Sequence, residues 1–267
     1  MTTFWADLHC HTTCSDGTVT PKDLVWKAKA IGLKGLSITD HDTLDAYPEA
    51  LQAAQEAGIR LGTGIEFSCQ FEKTSLHLLG YGFNLDHPAL LKLCERHLYR
   101  RESRNRAILD QLKNQGIEIS YDELISKASG KTVGRPHIAQ LMVEKGVVKN
   151  LREAFHQYIA EGKKCYVQGE AFQPQEAIDV IHSAGGKAFI AHPQLLPGDI
   201  ALDRLLRLPF DGIECYYARL FQRSWLEIAK ARGWIVSGGS DFHGTVKPEL
   251  ELGCSGVDQN TFERIFG

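Results

Sequence analysis

Short apolar runs, each followed by an amphipathic stretch, alternate along both ends of this 267-residue chain. Residues 4–8, 36–39, 61–67 and 76–81 have the pattern of buried strands, and 188–191, 212–215 and 235–238 repeat it. Between these runs, apolar positions recur every three or four residues. Thr20 followed by Pro21 caps and opens a helix running to about residue 31, and further helices are expected over 43–57, 174–184, 199–208 and 220–231. Seven strands with helices between them predict an α/β fold, in which side chains at one rim of the sheet carry the chemistry.

Only the polar stretch SCQFEKTS separates the third strand from the fourth. A parallel crossover needs roughly a dozen residues or more, so this pair is expected to run antiparallel. The pairing would put Glu66, at the end of one strand, and His77, at the start of the next, on the same rim.

From 88 to 164 the alternation stops and four segments with helical spacing follow one another. The stretch is too long for a loop and is expected to form a helical insertion, a substrate-binding lid over the rim. The division predicted is therefore a barrel from 1–87 and 165–267 and an insertion from 88–164.

Polar side chains interrupt the apolar runs at a particular set of places. His9 and His11 stand two apart in DLHCHTTCSDG, so on extended chain they point the same way and can chelate one ion, and Asp16 follows in a turn. ITDHD delivers Asp40 and His41 after a strand, and Glu66 breaks the apolar run GIEFS, where an unpaired carboxylate would be costly. His77 and His192 interrupt SLHLLGYG and FIAHP, and SGGSDFHG brings Asp241 and His243 after a glycine-lined strand end that suits close approach of backbone. Each alone is more often a core histidine or a salt-bridged acid. Together they predict a site for several divalent ions, with Asp7 and Asp40 as neighbouring acids that orient the ligands. His87, His97, His156 and His182 lack such placement and receive no role.

Composition narrows the partners. A net charge of −3 gives no global basic field of the kind that grips long duplex DNA. The seven cysteines are odd in number and show no CxxC spacing, so they are read as reduced thiols. The amino end has no signal-peptide pattern and no apolar run approaches a membrane span of ~18 residues, so a cytoplasmic protein is expected, with no membrane or obligate protein partner.

HCH, the later DH, the isolated Glu66 and His77, the FIAHP histidine and SDFH occur in an order that resembles the polymerase-and-histidinol-phosphatase (PHP) family of metal-dependent phosphoesterases, over essentially the whole chain. The resemblance implies a distorted (β/α)7 barrel and three divalent ions. It implies His9, His11, Glu66 and Asp241 on one ion, Glu66, His77 and His192 on a second, and Asp16, His41 and His243 on a third. Manganese is the metal expected, with iron or zinc suiting the same donors. The catalytic expectation is a hydroxide held between the two ions that share Glu66, attacking phosphorus in line.

RRESR at 100–104 and GRPHIA at 134–139 further resemble the subgroup of 3′,5′-nucleotide bisphosphate phosphatases and short-oligonucleotide 5′-to-3′ exoribonucleases. Arg101, Arg104, Arg135 and His137 are accordingly expected to bind substrate phosphate. The expected substrate is a small phosphorylated nucleotide or the 5′ end of a short RNA. Two alternatives are a metabolite phosphomonoesterase similar to histidinol phosphatase and a non-catalytic, polymerase-associated metal-binding module.

Overall fold

The computed structural model describes residues 4–128, 132–198 and 200–267. Its first half alternates β1 (Ala6–Asp7), α1 (Pro21–Ala30), β2 (Gly35–Ile38), α2 (Tyr47–Ala57), β3 (Arg60–Phe71) and β4 (Thr74–Tyr81). The insertion follows as α3 (Pro88–Asn114), α4 (Tyr121–Lys127), α5 (Arg135–Glu144) and α6 (Leu151–Ala154), the last continuing into a π-helical turn over Phe155–Ile159. Alternation resumes with α7 (Pro174–Ser183), β5 (Lys187–Ile190), α8 (Leu202–Leu205), β6 (Gly212–Tyr217), β7 (Leu220–Phe221), α9 (Arg223–Arg232), β8 (Ile235–Gly239) and α10 (Gln259–Phe266).

The strands form one mixed sheet. β1, β2 and β3 pair in parallel, as do β5, β6 and β8, while β4 runs antiparallel to both β3 and β5. The sheet then closes on itself: Leu8 N–H donates to Gly238, Asp241 N–H to His9, and His11 N–H to Phe242. Seven of the eight strands, all but the short β7 that pairs with β6, make up the distorted barrel that the resemblance implied, with β4 reversed as its short connection to β3 requires.

Ala6, Leu8, Leu79, Tyr81, Phe189 and Ile265 form one buried cluster of the barrel. α7 and α9 pack outside it with Ile178, Ile181, Trp225 and Ala229, joined by Leu90 and Leu93 from the start of α3. The rest of the insertion has a core of its own, including Ile108, Leu112, Leu124, Ile138, Met142 and Ile159.

Four local expectations are corrected. Residues 220–221 are a strand rather than the start of a helix, because Ala218 turns through φ 48° and folds Leu220 and Phe221 back on Tyr216 and Tyr217. α2 starts at Tyr47, after Asp42 takes a left-handed conformation at φ 57° and Thr43 Oγ1 accepts from Asp45 N–H. The helix expected over 199–208 is reduced to Leu202–Leu205, and its first residue lies outside the described residues. α10 was not anticipated, although Asp258 caps it by accepting from Thr261 N–H at 2.8 Å and Phe262 and Ile265 carry its buried face.

Candidate metal centre

Backbone geometry brings the nine singled-out residues to one rim. His9 and His11 continue β1, with the intervening Cys10 turned away to donate its thiol to Ser37 O. His41 extends β2 beside Glu66, with which it forms an isolated bridge, and Ser68 pairs with His77 across the β3–β4 hairpin. Glu66 lies inside β3 rather than at its end, because the hairpin runs on past the rim to Phe71. His192 and Asp241 leave β5 and β8 in positive-φ conformations of 27° and 54°, sparsely populated for such residues and characteristic of functional rims. Gly239 makes this approach possible, since a Cβ there would lie 2.3 Å from His9 Cβ.

Glu66 is the centre of the cluster and is buried. Its Oε1 lies 2.9 Å from His77 Nδ1 and 2.9 Å from His192 Nε2. Its Oε2 lies 3.4 Å from His9 Nε2, 3.1 Å from His11 Nε2 and 3.2 Å from His41 Nδ1. One carboxylate therefore separates two sets of imidazoles, one on each oxygen. Asp241 Oδ1 faces His9 and His11 at 3.5 and 3.3 Å, and Asp16 Oδ1 faces His243 Nε2 at 3.2 Å.

Among the described residues, three groupings have donor atoms close enough to share a cation: His9, His11 and Asp241; His41, Glu66 and His77; and His11, Asp16, His41 and His243. Among the described residues, the buried His9 Nε2, His11 Nε2 and His41 Nδ1 make no well-directed hydrogen bond, although Glu66 Oε2 stands 3.4, 3.1 and 3.2 Å from them. Buried ring nitrogens converging on carboxylate oxygens fit divalent ions of the imidazole- and oxygen-binding kind.

The electrostatics agree. Burial pushes the Glu66 carboxyl up, yet His41, His77 and His9 hold it well below the usual range. Burial opposes a proton on His11, yet Asp241 and Glu66 raise its pKa to about 9. Burial, joined by the neighbouring imidazoles of His11 and His77, pulls His41 well down against Glu66 and Asp16. The cluster balances its carboxylates with protons on selected imidazoles, a balance that bound cations would take over.

Asp7 and Asp40 differ from the expectation. Asp7 accepts the N–H groups of His9, Ser240 and Gly253, and burial pushes its carboxyl up to about 6 against those bonds. Asp40 accepts from Thr12 N–H, Thr12 Oγ1 and Ser15 Oγ. These acids hold the loops that carry the site, rather than its imidazole rings, because backbone N–H groups and, for Asp40, the Thr12 and Ser15 hydroxyls take up their oxygens.

The acid that does orient a ring is Glu214. It is fully buried, with Oε1 2.9 Å from His9 Nδ1 and Oε2 accepting His192 N–H at 2.8 Å. The sequence carried the signal, since GIE at 212–214 breaks an apolar strand just as GIE at 64–66 does. Lys247 was also missed. Its Nζ lies 2.6 Å from Asp241 Oδ2, which also accepts the Tyr217 hydroxyl at 2.8 Å. No pattern in the loop GTVKPE marks it.

The insertion places its arginines beside this rim, in different states. Arg101 is not a free anion donor: its Nε and Nη2 lie 2.7 and 2.6 Å from Asp42 Oδ2, and Nη2 donates to Ser68 Oγ. His137 is turned inward, its Nδ1 accepting Gly134 N–H at 3.0 Å to cap α5. Arg104 bonds only a neutral group among the described residues, the Asn105 amide oxygen at 3.1 Å, and its buried Nε has no partner. Burial and the adjacent guanidiniums of Arg101 and Arg135 push Arg104 below the usual arginine range. Arg135 lies over the rings of Phe155 and Tyr166. Arg104, Arg135 and Tyr166 line a cleft with Ser75, which shares a face of β4 with His77.

A rim of this construction, with donor sets on both oxygens of one carboxylate, is suited to metal-assisted hydrolysis. The PHP domain model matches residues 7–173, and the chain belongs to the PHP domain family of metal-dependent phosphoesterases. It is 42% identical over 245 residues to a 5′-3′ exoribonuclease of Haemophilus influenzae, with 89% of each chain covered. It is 32% identical over 247 residues to a 3′,5′-nucleoside bisphosphate phosphatase of Chromobacterium violaceum, covering 89% of this chain and 86% of that one. A solved structure from Bifidobacterium adolescentis, assigned as a metal-dependent phosphoesterase, superposes with a TM-score of 0.89 at 32% identity, covering 98% and 96% of the two chains. Among the described residues, no helix is long and apolar enough to cross a membrane.

Proposed function

We propose that this phosphoesterase acts on small phosphorylated nucleotides, 3′,5′-bisphosphates above all, and on the 5′ end of short RNA. The observation that carries this reading is the pair Arg104 and Arg135, neither neutralised by a carboxylate among the described residues, in a cleft beside the cluster. A substrate with two phosphates can place one at the cluster and leave the other to these guanidiniums, whose planar forks suit it. The relatives named for bisphosphates and RNA ends support the same choice. Segment 88–164 serves as the substrate-binding subdomain, set on the barrel formed by 1–87 and 165–267.

His9, His11, Asp16, His41, Glu66, His77, His192, Asp241 and His243 would hold three divalent ions, manganese being the expected metal. Bound there, such ions supply Lewis acidity toward a phosphoryl oxygen and lower the pKa of water from about 15.7 toward about 7. The chain's own part is positional. Glu214 fixes the His9 ring so that Nε2 meets the cluster, and Lys247 and Tyr217 hold one oxygen of Asp241 so that the other faces inward. Arg104 and Arg135 hold the phosphate that is not cleaved. Seven free cysteines suit work in a reducing cytoplasm.

The test is a substrate pair. With manganese supplied, adenosine 3′,5′-bisphosphate should be hydrolysed with a higher kcat/KM than p-nitrophenyl phosphate, and Arg135→Ala should reduce use of the bisphosphate more. Equal losses on both substrates refute the reading.

A further inference from the structure

A polar stripe runs along the buried face of α3, where apolar packing would have served. His97, Arg101 and Asn105 follow one another at four-residue spacing, and all are buried. Asn105 Nδ2 donates to Val133 O at 2.9 Å, tying down the segment that leads into α5. His97 Nδ1 lies 3.2 Å from Asp42 Oδ1. Arg101 makes the two-point contact with Asp42 Oδ2 and reaches Ser68 Oγ at 2.9 Å.

Asp42 is the common partner, and its position is unusual. It follows His41 directly and is 2% exposed. Its Oδ1 also accepts Ser68 N–H at 2.7 Å, and its own N–H donates to Glu66 O at 3.0 Å. A single carboxylate thus joins the loop after β2, the β3–β4 hairpin and α3. On its far side Arg101 Nη1 approaches the start of α5, where an added Cβ on Gly134 would lie 3.5 Å from Nη1 and 4.0 Å from Asp16 Oδ2.

Burying an ion pair brings little net stability over apolar side chains of the same volume, so its use here calls for another reason. Register is the reason the geometry offers. A helix advances about 1.5 Å per residue, so a slip of one turn would carry Arg104 about 5.4 Å along the rim. In the observed register Asp42 receives His97 and Arg101 together, a pairing that a slip of one turn would break.

We propose that Asp42 and Arg101 are positioning residues that latch α3 to the metal rim, set the separation between the cluster and Arg104 and Arg135, and so fix the preference for substrates with a second phosphate. This rests on the reading of Arg104 and Arg135 as phosphate donors.

The test uses full-length, manganese-loaded enzyme carrying Arg101→Gln, Asp42→Asn or both, with Arg135→Ala alongside. For each, kcat and KM are measured on adenosine 3′,5′-bisphosphate and p-nitrophenyl phosphate, together with the melting temperature. The expected result is that each latch variant loses the bisphosphate preference by about tenfold, chiefly through KM, as register coupling of ordinary size would give. The double variant strands neither charge of the Asp42–Arg101 pair and should melt above both single variants, yet still lack the preference. If the singles do not fold, the double variant carries the test. A wild-type preference in the folded double variant overturns the latch. If Arg135→Ala also leaves the preference intact, the reading of the arginines falls and takes the latch with it; if Arg135→Ala abolishes the preference, the latch alone falls.

Discussion

Glu214 Oε1 and His9 Nδ1 lie 2.9 Å apart in the interior of the barrel, and this contact decides which nitrogen of His9 faces the cluster. A carboxylate on one ring nitrogen fixes the tautomer and raises the basicity of the other. Glu214→Gln should therefore lower metal affinity by about 10- to 100-fold with little change in the far-ultraviolet circular dichroism. Competition with a chelating dye measures it, and wild-type affinity would show that His9 is held by packing alone.

Metal removal should destabilise the fold. The buried ring nitrogens of His9, His11 and His41 make no well-directed hydrogen bond among the described residues, and bound cations would satisfy them. At a free metal concentration 100 times Kd, one site adds about 2.7 kcal/mol. Each kcal/mol corresponds to roughly 2–4 °C in a chain somewhat smaller than this. Differential scanning calorimetry should show a fall of several degrees on exhaustive chelation, reversed by added manganese.

Lys247 bears on Asp241 from outside the cluster. With its ammonium 2.6 Å from Oδ2, it keeps Oδ1 turned toward His9 and His11. Lys247→Met should lower kcat/KM on p-nitrophenyl phosphate by about tenfold, the effect of losing roughly 1.4 kcal/mol of transition-state stabilisation. Lys247→Arg should recover part of it. Unchanged kinetics in the methionine variant would reduce Lys247 to a surface residue.

Gly239→Ala should be among the most damaging single-methyl additions. The new Cβ would meet His9 N at 2.4 Å and His9 Cβ at 2.3 Å, so strand backbone must move. Overpacking of this kind costs about 1–3 kcal/mol, and the displaced atoms belong to a cluster residue. Loss of metal content together with a lower melting temperature is expected from elemental analysis and a thermal scan.

Much of the rim was legible because the residues that build it break local patterns. Histidines and acids within or just after apolar runs are conspicuous, and the eight-residue SCQFEKTS link was enough to reverse β4. Glu214 breaks its strand as Glu66 does, but its bond to His9 spans 205 residues, so its role has no local trace. Asp42 and His97 were missed for a similar reason: ITDHD marks Asp40 and His41, while the role of Asp42 depends on where α3 comes to rest. α10 is short, and its amphipathic face is visible only against the barrel that it closes.

The chain by itself determined most of the elements, though not β7 or α10, and which side chains can donate to a metal, because strand periodicity, capping and ligand chemistry are local properties. Only the tertiary structure decided that Glu66 divides its two oxygens between two sets of imidazoles, that Arg101 is spent on Asp42 while Arg104 meets no carboxylate among the described residues, and that Asp7 and Asp40 hold loops instead of rings. Those outcomes turn on a few tenths of an ångström between groups far apart in sequence. Burial then fixes each contact by making any unpaired alternative costly.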